Sequence, residues 1–267
     1  MTLAAHVLID LAAVKHNLAR VRQLAPTAKV MAVIKANAYG HGMLRVAEAL
    51  SDVDAVAVAR VDEGIHLRRS GFLKRIVVSE GFVDEQELLD LIQSNLEFVV
   101  HSMGQVDVIE KFTGFQQIAL WLKLDTGMNR LGFKENEFSA VYQRLLHCKS
   151  VVKPISLMTH FSSADDLDNK QVTEQQLALF TQTVINYPGE KSIANSAAII
   201  AWPSSITDWV RPGLMLYGVS PFLSESAEKL ALIPAMSLHS RLISVKTIEA
   251  GETVGYSATW TAAQKTK

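Results

Sequence analysis

Short apolar runs recur along the chain, and each run is separated from the next by enough residues to form a helix. Most of these runs are continuous rather than alternating with polar residues, which is typical of strands buried on both faces of a parallel sheet. We predict eight such strands: VMAVI (30–34), DAVAVA (54–59), RIVVSE (75–80), EFVVHS (97–102), QIALWLKL (117–124), PISLMTHF (154–161), SIANS (192–196) and DWVR (208–211).

The segments between these runs have helical patterns. Apolar residues in 11–21 and in 177–184 fall on one face of a helix. Capping boxes at residues 84–87 (Asp and Glu) and 102–105 (Ser and Gln) predict two helix starts. Eight strands alternating with helices predict an α/β fold, a (β/α)8 TIM-type barrel, which typically needs about 250 residues.

Two segments fall outside the barrel pattern. VLID (7–10) predicts a strand before the first helix, and residues 235–261 alternate in places like antiparallel strands around a turn at EAGE. Two or three strands are too few for an independent β domain. We therefore predict a barrel domain over residues 7–218, then a linker and the first strands of an incomplete β domain over residues 219–267. Packing of this tail on the barrel edge stays an alternative.

Composition narrows the classes of function. The 267 residues include 26 Lys and Arg and 27 Asp and Glu, giving a formal net charge of -1. Nucleic-acid binding needs massed basic residues, and a membrane span needs roughly 18 or more consecutive apolar residues; we expect neither partner. Asp10 interrupts the N-terminal apolar run, which predicts no signal peptide. The single cysteine, Cys148, fits a reducing, cytoplasmic location, and no Cys/His spacing predicts a metal site.

Active sites of TIM-type barrels lie at the C-terminal ends of the strands. Ionisable and polar residues follow several predicted strands: Lys35, Asp125, Arg130, His160, Asn195, Ser196, Arg211 and Gly213. Lys35 comes directly after the apolar MAVI, and an apolar neighbourhood favours the neutral amine that forms Schiff bases. Taken alone, Lys35 is better explained as an ordinary lysine whose stem is buried and whose ammonium reaches solvent than as a Schiff-base lysine. The polar turn at 39–42, which contains two glycines, is not needed by an ordinary lysine and therefore favours a functional role.

The ends of the seventh and eighth strands predict an anion site. Ser196 offers a hydroxyl, and Gly213 and Leu214 offer backbone N–H groups, in the usual phosphate position of such barrels. A simple turn explains Pro212-Gly213 equally well. Arg130 and Arg211 are suited to a carboxylate or to the ring atoms of a cofactor. For His160 alone, a core histidine is the simpler interpretation.

Six segments together resemble the bacterial alanine racemases: VIKANAYGHG, KLDTGMNRLGF, MTHFSSAD, ANS, VRPGLMLYGVSP and VGYSATW occur in that family's order and spacing. The resemblance runs from Val7 to about Thr261. It implies a barrel followed by a β domain, pyridoxal 5'-phosphate as cofactor, and interconversion of L-alanine and D-alanine. It further implies a cytoplasmic enzyme that is a homodimer if the second domain is present and whose D-alanine feeds peptidoglycan synthesis for the cell wall.

The resemblance also implies a role for each matching residue. Lys35 holds the cofactor covalently and is one of two bases, and Tyr256 of a partner subunit is the other. The phosphate is bound by Tyr39, Ser196, Gly213 and Leu214, with Asn195 beside them. Arg211 forms a hydrogen bond with the pyridine nitrogen, and Arg130 lies near the cofactor's phenolic oxygen and the substrate carboxylate. Lys123, which is carbamylated in some members, holds Arg130 in place. His160 supports Tyr256.

One feature departs from the family. The family's β domain continues beyond the tyrosine motif with a methionine–aspartate segment and another tyrosine, whereas this chain stops at Lys267. We therefore expect either the N-terminal portion of a longer protein or a chain that has lost its second domain, with a preserved barrel and cofactor site but reduced or no activity. Three alternatives stay open: a non-catalytic single-barrel cofactor-binding protein, a racemase of other or broader specificity, and a barrel decarboxylase. The segments DTGMNRLGF and VGYSATW favour the racemase over the non-catalytic protein, and the decarboxylase lacks support because no glycine-rich triplet phosphate loop is present.

Overall fold

The computed structural model describes residues 5–267. Contacts divide the chain into two compact units. The larger unit is Ile9–Ala235, and the smaller unit combines the N-terminal segment through Leu8 with Met236–Lys267. Each unit is described by itself below.

The larger unit is a closed barrel of eight parallel strands, which confirms the predicted TIM-type fold. After β1 (Ala5–Ile9), the barrel strands are β2 (Lys29–Val33), β3 (Ala55–Val58), β4 (Arg75–Val78), β5 (Glu97–Val100), β6 (Leu120–Lys123), β7 (Ser156–Met158), β8 (Lys191–Ser192) and β9 (Trp209–Val210). The barrel closes where β9 pairs with β2, with Val210 opposite Val30.

Both faces of each barrel strand are buried. In β2, Met31 packs in the interior cluster with Trp121 and Trp209, while Val30 and Ala32 belong to the cluster between strands and helices. This double burial explains why the strands are continuous apolar runs.

The helical segments alternate with the strands. They are α1 (Leu11–Leu24), α2 (Lys35–Tyr39), α3 (Met43–Ala49), α4 (Val61–Arg69), α5 (Glu85–Gln93), α6 (Met103–Lys111), α7 (Glu135–His147), α8 (Lys170–Val184) and α9 (Ser196–Ala201), with short 3₁₀ segments at Pro203–Ser205, Leu214–Tyr217 and Tyr256–Ala258. Of these, α2 is a left-handed turn and is described with the site.

The predicted capping boxes do begin helices, with one difference in the returning bond. The Asp84 carboxylate accepts a hydrogen bond from the Glu87 amide at 2.9 Å. The Glu87 carboxylate accepts one from Val83, one residue before the cap, at 2.9 Å. Ser102 and Gln105 have the same geometry. Both boxes therefore satisfy backbone donors that a helix start leaves without intrahelical partners.

The segment 219–235 packs with the barrel unit, although the sequence analysis placed it in the linker. Asn17 is fully buried in α1. Its side-chain amide donates to the carbonyls of Leu216 at 3.1 Å and Ile233 at 2.8 Å, and its oxygen accepts from the Ile233 amide at 2.8 Å. Leu232, in the same segment as Ile233, is buried. These contacts hold the segment on α1 and explain why it belongs to the larger unit.

Asn17→Leu is expected to destabilise the barrel. The leucine removes three hydrogen bonds and leaves the buried carbonyl of Leu216 and the partly buried carbonyl and amide of Ile233 without these partners, so the free energy of unfolding should fall by about 2–4 kcal/mol. Denaturant unfolding followed by circular dichroism measures this. Lys15→Leu, at an exposed position of the same helix, is the control and should shift stability by no more than about 0.5 kcal/mol. Equal shifts in both variants would contradict the role given to Asn17.

The smaller unit contains short strands, as predicted for residues 235–261. The strand β10 (Met236–Ser240) pairs with β1, and β11 (Thr253–Val254) pairs antiparallel with β12 (Trp260–Thr261). Gly251, in the predicted EAGE turn, has φ +88°, a conformation that favours glycine. In the part of the chain that the structure describes, no helix is long and apolar enough to cross a membrane.

Candidate active site

A cavity of about 430 Å³ opens among the C-terminal ends of the barrel strands. Every barrel residue to which the family resemblance gives a role lines it: Lys35, Tyr39, Lys123, Arg130, His160, Asn195, Ser196, Arg211, Gly213 and Leu214. Its apolar lining includes Met31, Val77 and Val99 from the barrel interior. The fold thus brings together cationic, hydroxyl and amide groups from both ends of the sequence on one rim.

Lys35 begins a left-handed turn at the end of β2. Residues 36–39 have φ between 51° and 56°, and none of them is glycine. Left-handed helical geometry costs roughly 1–2 kcal/mol for each such residue, so it persists only where surrounding contacts hold it. One such contact is the bond from the Met43 amide to the Asn37 side chain at 2.8 Å. Lys35 itself is half-buried and lines the cavity.

The predicted anion site has hydrogen-bond donors, and Gly213 leaves open the space beside them because it has no side chain. The Ser196 hydroxyl oxygen accepts from the amides of Gly213 at 2.9 Å and Met215 at 3.3 Å, so its hydrogen is free to donate. A Cβ added to Gly213 would lie 3.0 Å from the Tyr39 hydroxyl oxygen. Burial raises the pKa of Tyr39, which keeps this hydroxyl a donor. Asn195 begins α9 as its cap.

Arg211 is buried in the wall of the cavity. One terminal nitrogen donates to the Ser192 hydroxyl, and the other donates to the carbonyls of Thr159 and Ile193. Among the described residues, none of its hydrogen bonds uses Nε. Burial lowers the pKa of Arg211 to about 10, so the guanidinium is still charged at neutral pH.

His160 is a neutral group beside this arginine. A terminal nitrogen of Arg211 lies 3.4 Å from His160 Nδ1. Because an arginine only donates, Nδ1 is the acceptor and the ring proton belongs on Nε2. Burial, and then the charges of Arg211 and Lys123, hold the pKa of His160 well below its usual range.

Lys123 lies among like charges. Its side chain is only 8% exposed. Burial, followed by the charges of Arg211 and Arg130, lowers the pKa of Lys123 to about 8. A fraction of this amine is therefore uncharged in mildly alkaline solution, unlike an ordinary lysine.

Lys123→Met is expected to stabilise the chain at pH 7. Between pH 8 and 10.5 the unfolded chain binds more protons at this lysine than the folded chain, so stability rises with pH there. Methionine removes the buried charge, which should raise the free energy of unfolding at pH 7 by on the order of 2 kcal/mol and flatten the rise. Thermal unfolding from pH 7 to 10, in buffer purged of carbon dioxide, measures both effects. Lys149→Met, at an exposed position, should keep the parent's pH profile; the same profile in Lys123→Met would contradict the prediction.

The loop after β6 presents Arg130 at the cavity. One oxygen of the Asp125 carboxylate accepts from the amides of Gly127 and Asn129, both at 3.0 Å, and the other pairs with Lys134 at 2.7 Å. Burial opposes ionisation of Asp125, but these hydrogen bonds outweigh it and lower its pKa. A charged Asp125 therefore organises the loop, and Arg130 is exposed upon it.

Two residues near Lys35 were missed in the sequence analysis. The Tyr217 hydroxyl donates to the Val33 carbonyl at 3.0 Å, and its ring centroid lies 5.0 Å from that of Tyr39. The Glu63 carboxylate accepts from the Ala36 amide at 2.6 Å. The available signal for Glu63 was its place as the third residue of a helix that follows a barrel strand, where glutamates accept backbone bonds.

Tyr256 belongs to the smaller unit. It begins the short segment Tyr256–Ala258, between Gly255 at φ +81° and Ser257 at φ +59°. Its side chain is 98% exposed. The role that the family resemblance gives to Tyr256 stays a prediction.

The closed barrel and its rim of cationic and hydroxyl groups define a TIM-barrel enzyme with a site for an anionic ligand. Comparison with known proteins then gives the family. Residues 9–221 match the model of the alanine racemase N-terminal domain, and residues 235–267 match that of the alanine racemase C-terminal domain. The chain belongs to the alanine racemase family, a family of isomerases.

Individual relatives agree with this assignment. The chain is 46% identical over 264 residues to the alanine racemase of Yersinia pestis, covering 99% of this chain and 73% of the relative. It is 47% identical over 264 residues to that of Aeromonas hydrophila, covering 99% of this chain and 74% of the relative. Among solved structures, the biosynthetic alanine racemase of Pseudomonas aeruginosa superposes with a TM-score of 0.93 at 38% identity, covering 99% of this chain and 74% of that one.

Proposed function

We propose that this chain binds pyridoxal 5'-phosphate on Lys35 and interconverts L-alanine and D-alanine. The observation that carries the proposal is the space that Gly213, which has no side chain, leaves open beside the hydroxyl groups of Tyr39 and Ser196. Any side chain there would meet the Tyr39 hydroxyl, and the free hydrogen of Ser196 lies beside the same glycine. Lys35 lines the same cavity. A phosphate beside two hydroxyl donors, with its carrier held by a lysine, fits this arrangement.

The cationic wall suits the remainder of the cofactor. Arg211 has no hydrogen bond from Nε among the described residues and stays charged at neutral pH. We assign to Arg211 Nε a hydrogen bond to the pyridine nitrogen of the cofactor. A guanidinium retains its proton, so Arg211 would keep the pyridine nitrogen unprotonated and limit side reactions such as transamination. Arg130, exposed at the cavity, would bind the substrate carboxylate.

Racemisation requires that a proton leave one face of the α-carbon and that another be added to the opposite face. Bound pyridoxal phosphate supplies an electron sink that makes loss of this proton feasible. We assign the proton exchanged with D-alanine to Lys35, and the proton exchanged with L-alanine to Tyr256 of a second copy of the chain. This assignment requires a homodimer. His160, with its proton on Nε2, would orient that tyrosine.

Lys123 would brace Arg130, as the family resemblance implies. Its pKa of about 8 leaves some free amine, and a free amine attacks carbon dioxide to form a carbamate with release of a proton. The product would replace a cation by an anion between Arg130 and Arg211. This would remove the repulsion from Arg211 and Arg130, which adds to burial in lowering the pKa of Lys123.

Isotope exchange tests the function. The chain is loaded with pyridoxal phosphate and given D-alanine in heavy water, and mass spectrometry follows separation of the enantiomers. Deuterated L-alanine is the expected result. Deuterium confined to D-alanine would show that Lys35 works without Tyr256, and the absence of exchange would favour the non-catalytic cofactor-binding barrel. The same assay with other L-amino acids, together with detection of carbon dioxide, separates a broader racemase from a decarboxylase.

The comparisons give no support to the expectation of a truncated enzyme with reduced activity. That expectation stays a prediction, and the exchange rate of the chain decides it. The cytoplasmic location and the supply of D-alanine for peptidoglycan are further parts of the proposal.

A further inference from the structure

Three glutamates occupy the same position in three barrel helices. Each is the third residue of its helix and accepts backbone hydrogen bonds at the helix start. Glu87 in α5 accepts from Val83 at 2.9 Å, and Glu137 in α7 accepts from Lys134 at 3.1 Å. Glu63 in α4 accepts from Ala59 at 2.8 Å and from Arg60 at 3.3 Å, both through one oxygen. These bonds account for an ordinary capping role.

Glu63 makes one further bond. Its other oxygen accepts from the Ala36 amide at 2.6 Å. This amide belongs to the peptide that joins Lys35 to the left-handed turn. Among the described residues, Glu87 and Glu137 make no comparable bond outside their own helix starts. A carboxylate bound to backbone amides on both oxygens is a strong, directional link.

This link fixes a part of the turn that its internal bonds do not. The bonds from Ala38 to Ile34 at 2.8 Å and from Gly40 to Ala36 at 3.0 Å define the shape of the turn. They join neighbours in sequence, so they do not determine how the turn lies against the barrel. The Glu63 carboxylate joins the start of the turn to the segment after β3. It therefore constrains the direction in which Lys35 leaves β2.

We propose that Glu63 is a positioning residue for Lys35: its carboxylate bridges the Ala36 amide and the Ala59 and Arg60 amides, and so holds the lysine toward the cavity. The consequence for cofactor capture rests on the proposed function of Lys35. The consequence for the turn itself does not.

The test compares Glu63→Gln with the matched control Glu87→Gln. Glutamine has nearly the same shape but offers only one carbonyl oxygen, so it does not bridge two sets of amides. Hydrogen exchange, followed by mass spectrometry on the full chain without cofactor, reports on residues 35–43. We expect exchange there to be about tenfold faster or more in Glu63→Gln, as loss of a charged hydrogen bond predicts. Glu87→Gln should leave this segment unchanged, and melting temperatures show that both variants are folded.

Chemical modification of Lys35 gives the second measurement. Limited acetylation with acetic anhydride is read by mass spectrometry for each lysine. The extent of acetylation at Lys35 should differ about threefold or more between Glu63→Gln and the parent chain. The extent at Lys149 should differ little, because only the local opening of the turn is affected. Capture of pyridoxal phosphate, trapped by borohydride, should be about tenfold slower in this variant.

Each outcome decides the inference. Identical behaviour of the two glutamine variants at residues 35–43 would reduce Glu63 to a helix cap and overturn the inference. Faster exchange with unchanged acetylation of Lys35 would overturn it as well. If the parent chain captures no pyridoxal phosphate, the proposed function fails. In that case, exchange and acetylation still decide whether Glu63 positions Lys35.

Discussion

Lys35→Ala should abolish covalent capture of pyridoxal phosphate and lower the racemisation rate by about 10⁴-fold or more, because the variant loses both the cofactor's attachment point and a general base. Lys35 and Lys123 both line the cavity, so Lys123 is the competing amine. It lies beside Arg211 and Arg130 and is nearly buried. We therefore expect it not to replace Lys35. The visible absorption of the bound cofactor, and mass spectrometry after borohydride reduction, measure the effect.

Lys123→Met is the matched control for this experiment. It removes the other amine of the cavity and should leave the modification at Lys35 intact. A visible band retained by Lys35→Ala would contradict the cofactor assignment. If the modified peptide in that variant contained Lys123, the site would be correct and the attachment residue wrong.

The barrel was predictable because its strands are buried on both faces. That property produces continuous apolar runs separated by helical patterns, and the structure has all eight strands. The same property hides which residues face the barrel interior. Met31 faces inward and Val30 faces the helices, yet both are apolar, so only the pairing with β3 and β9 distinguishes them.

The local conformation at Lys35 was not predictable from residue preferences. Alanine favours right-handed helices, yet Ala36 and Ala38 adopt left-handed geometry. Tertiary contacts impose it, including the bond from Ala36 to Glu63 across 27 positions. Asn17 is a similar case, since its partner Ile233 lies 216 positions away. Single-sequence patterns carry little information on such distant pairs.

Within the candidate site, the positions of the strand ends in the sequence predicted which residues lie near one another. The burial and neighbouring charges of each residue became known only from the structure. The sequence places Lys123 inside an apolar strand, but its lowered pKa depends first on how deeply the folded chain buries it and then on the charges of Arg211 and Arg130. In the sequence analysis, segment 219–235 was assigned to the linker before the β domain. Its buried Leu232 and its bonds to Asn17 hold it in the barrel unit.

Tyr256→Phe is expected to uncouple proton exchange from inversion. Phenylalanine keeps the ring but has no acid–base group, so racemisation should fall by about 10²–10⁴-fold. Because the two enantiomers have equal free energy, net racemisation must fall equally in both directions. The asymmetry should therefore appear in isotope exchange. In heavy water, D-alanine should still acquire deuterium through Lys35, whereas L-alanine should lose its α-proton far more slowly than in the parent.

Capture of pyridoxal phosphate should be unchanged in Tyr256→Phe, since the residues assigned to cofactor binding all lie in the barrel unit, whereas this tyrosine belongs to the smaller unit. Tyr187→Phe, a half-buried tyrosine that packs against Tyr142, controls for loss of a hydroxyl elsewhere and should match the parent in every assay. Equal loss of exchange with both enantiomers would contradict the assignment of Tyr256 to one face. Unchanged exchange with both would mean that another group returns the proton, and the search would then turn to the groups around His160, whose low pKa makes it a neutral donor through Nε2.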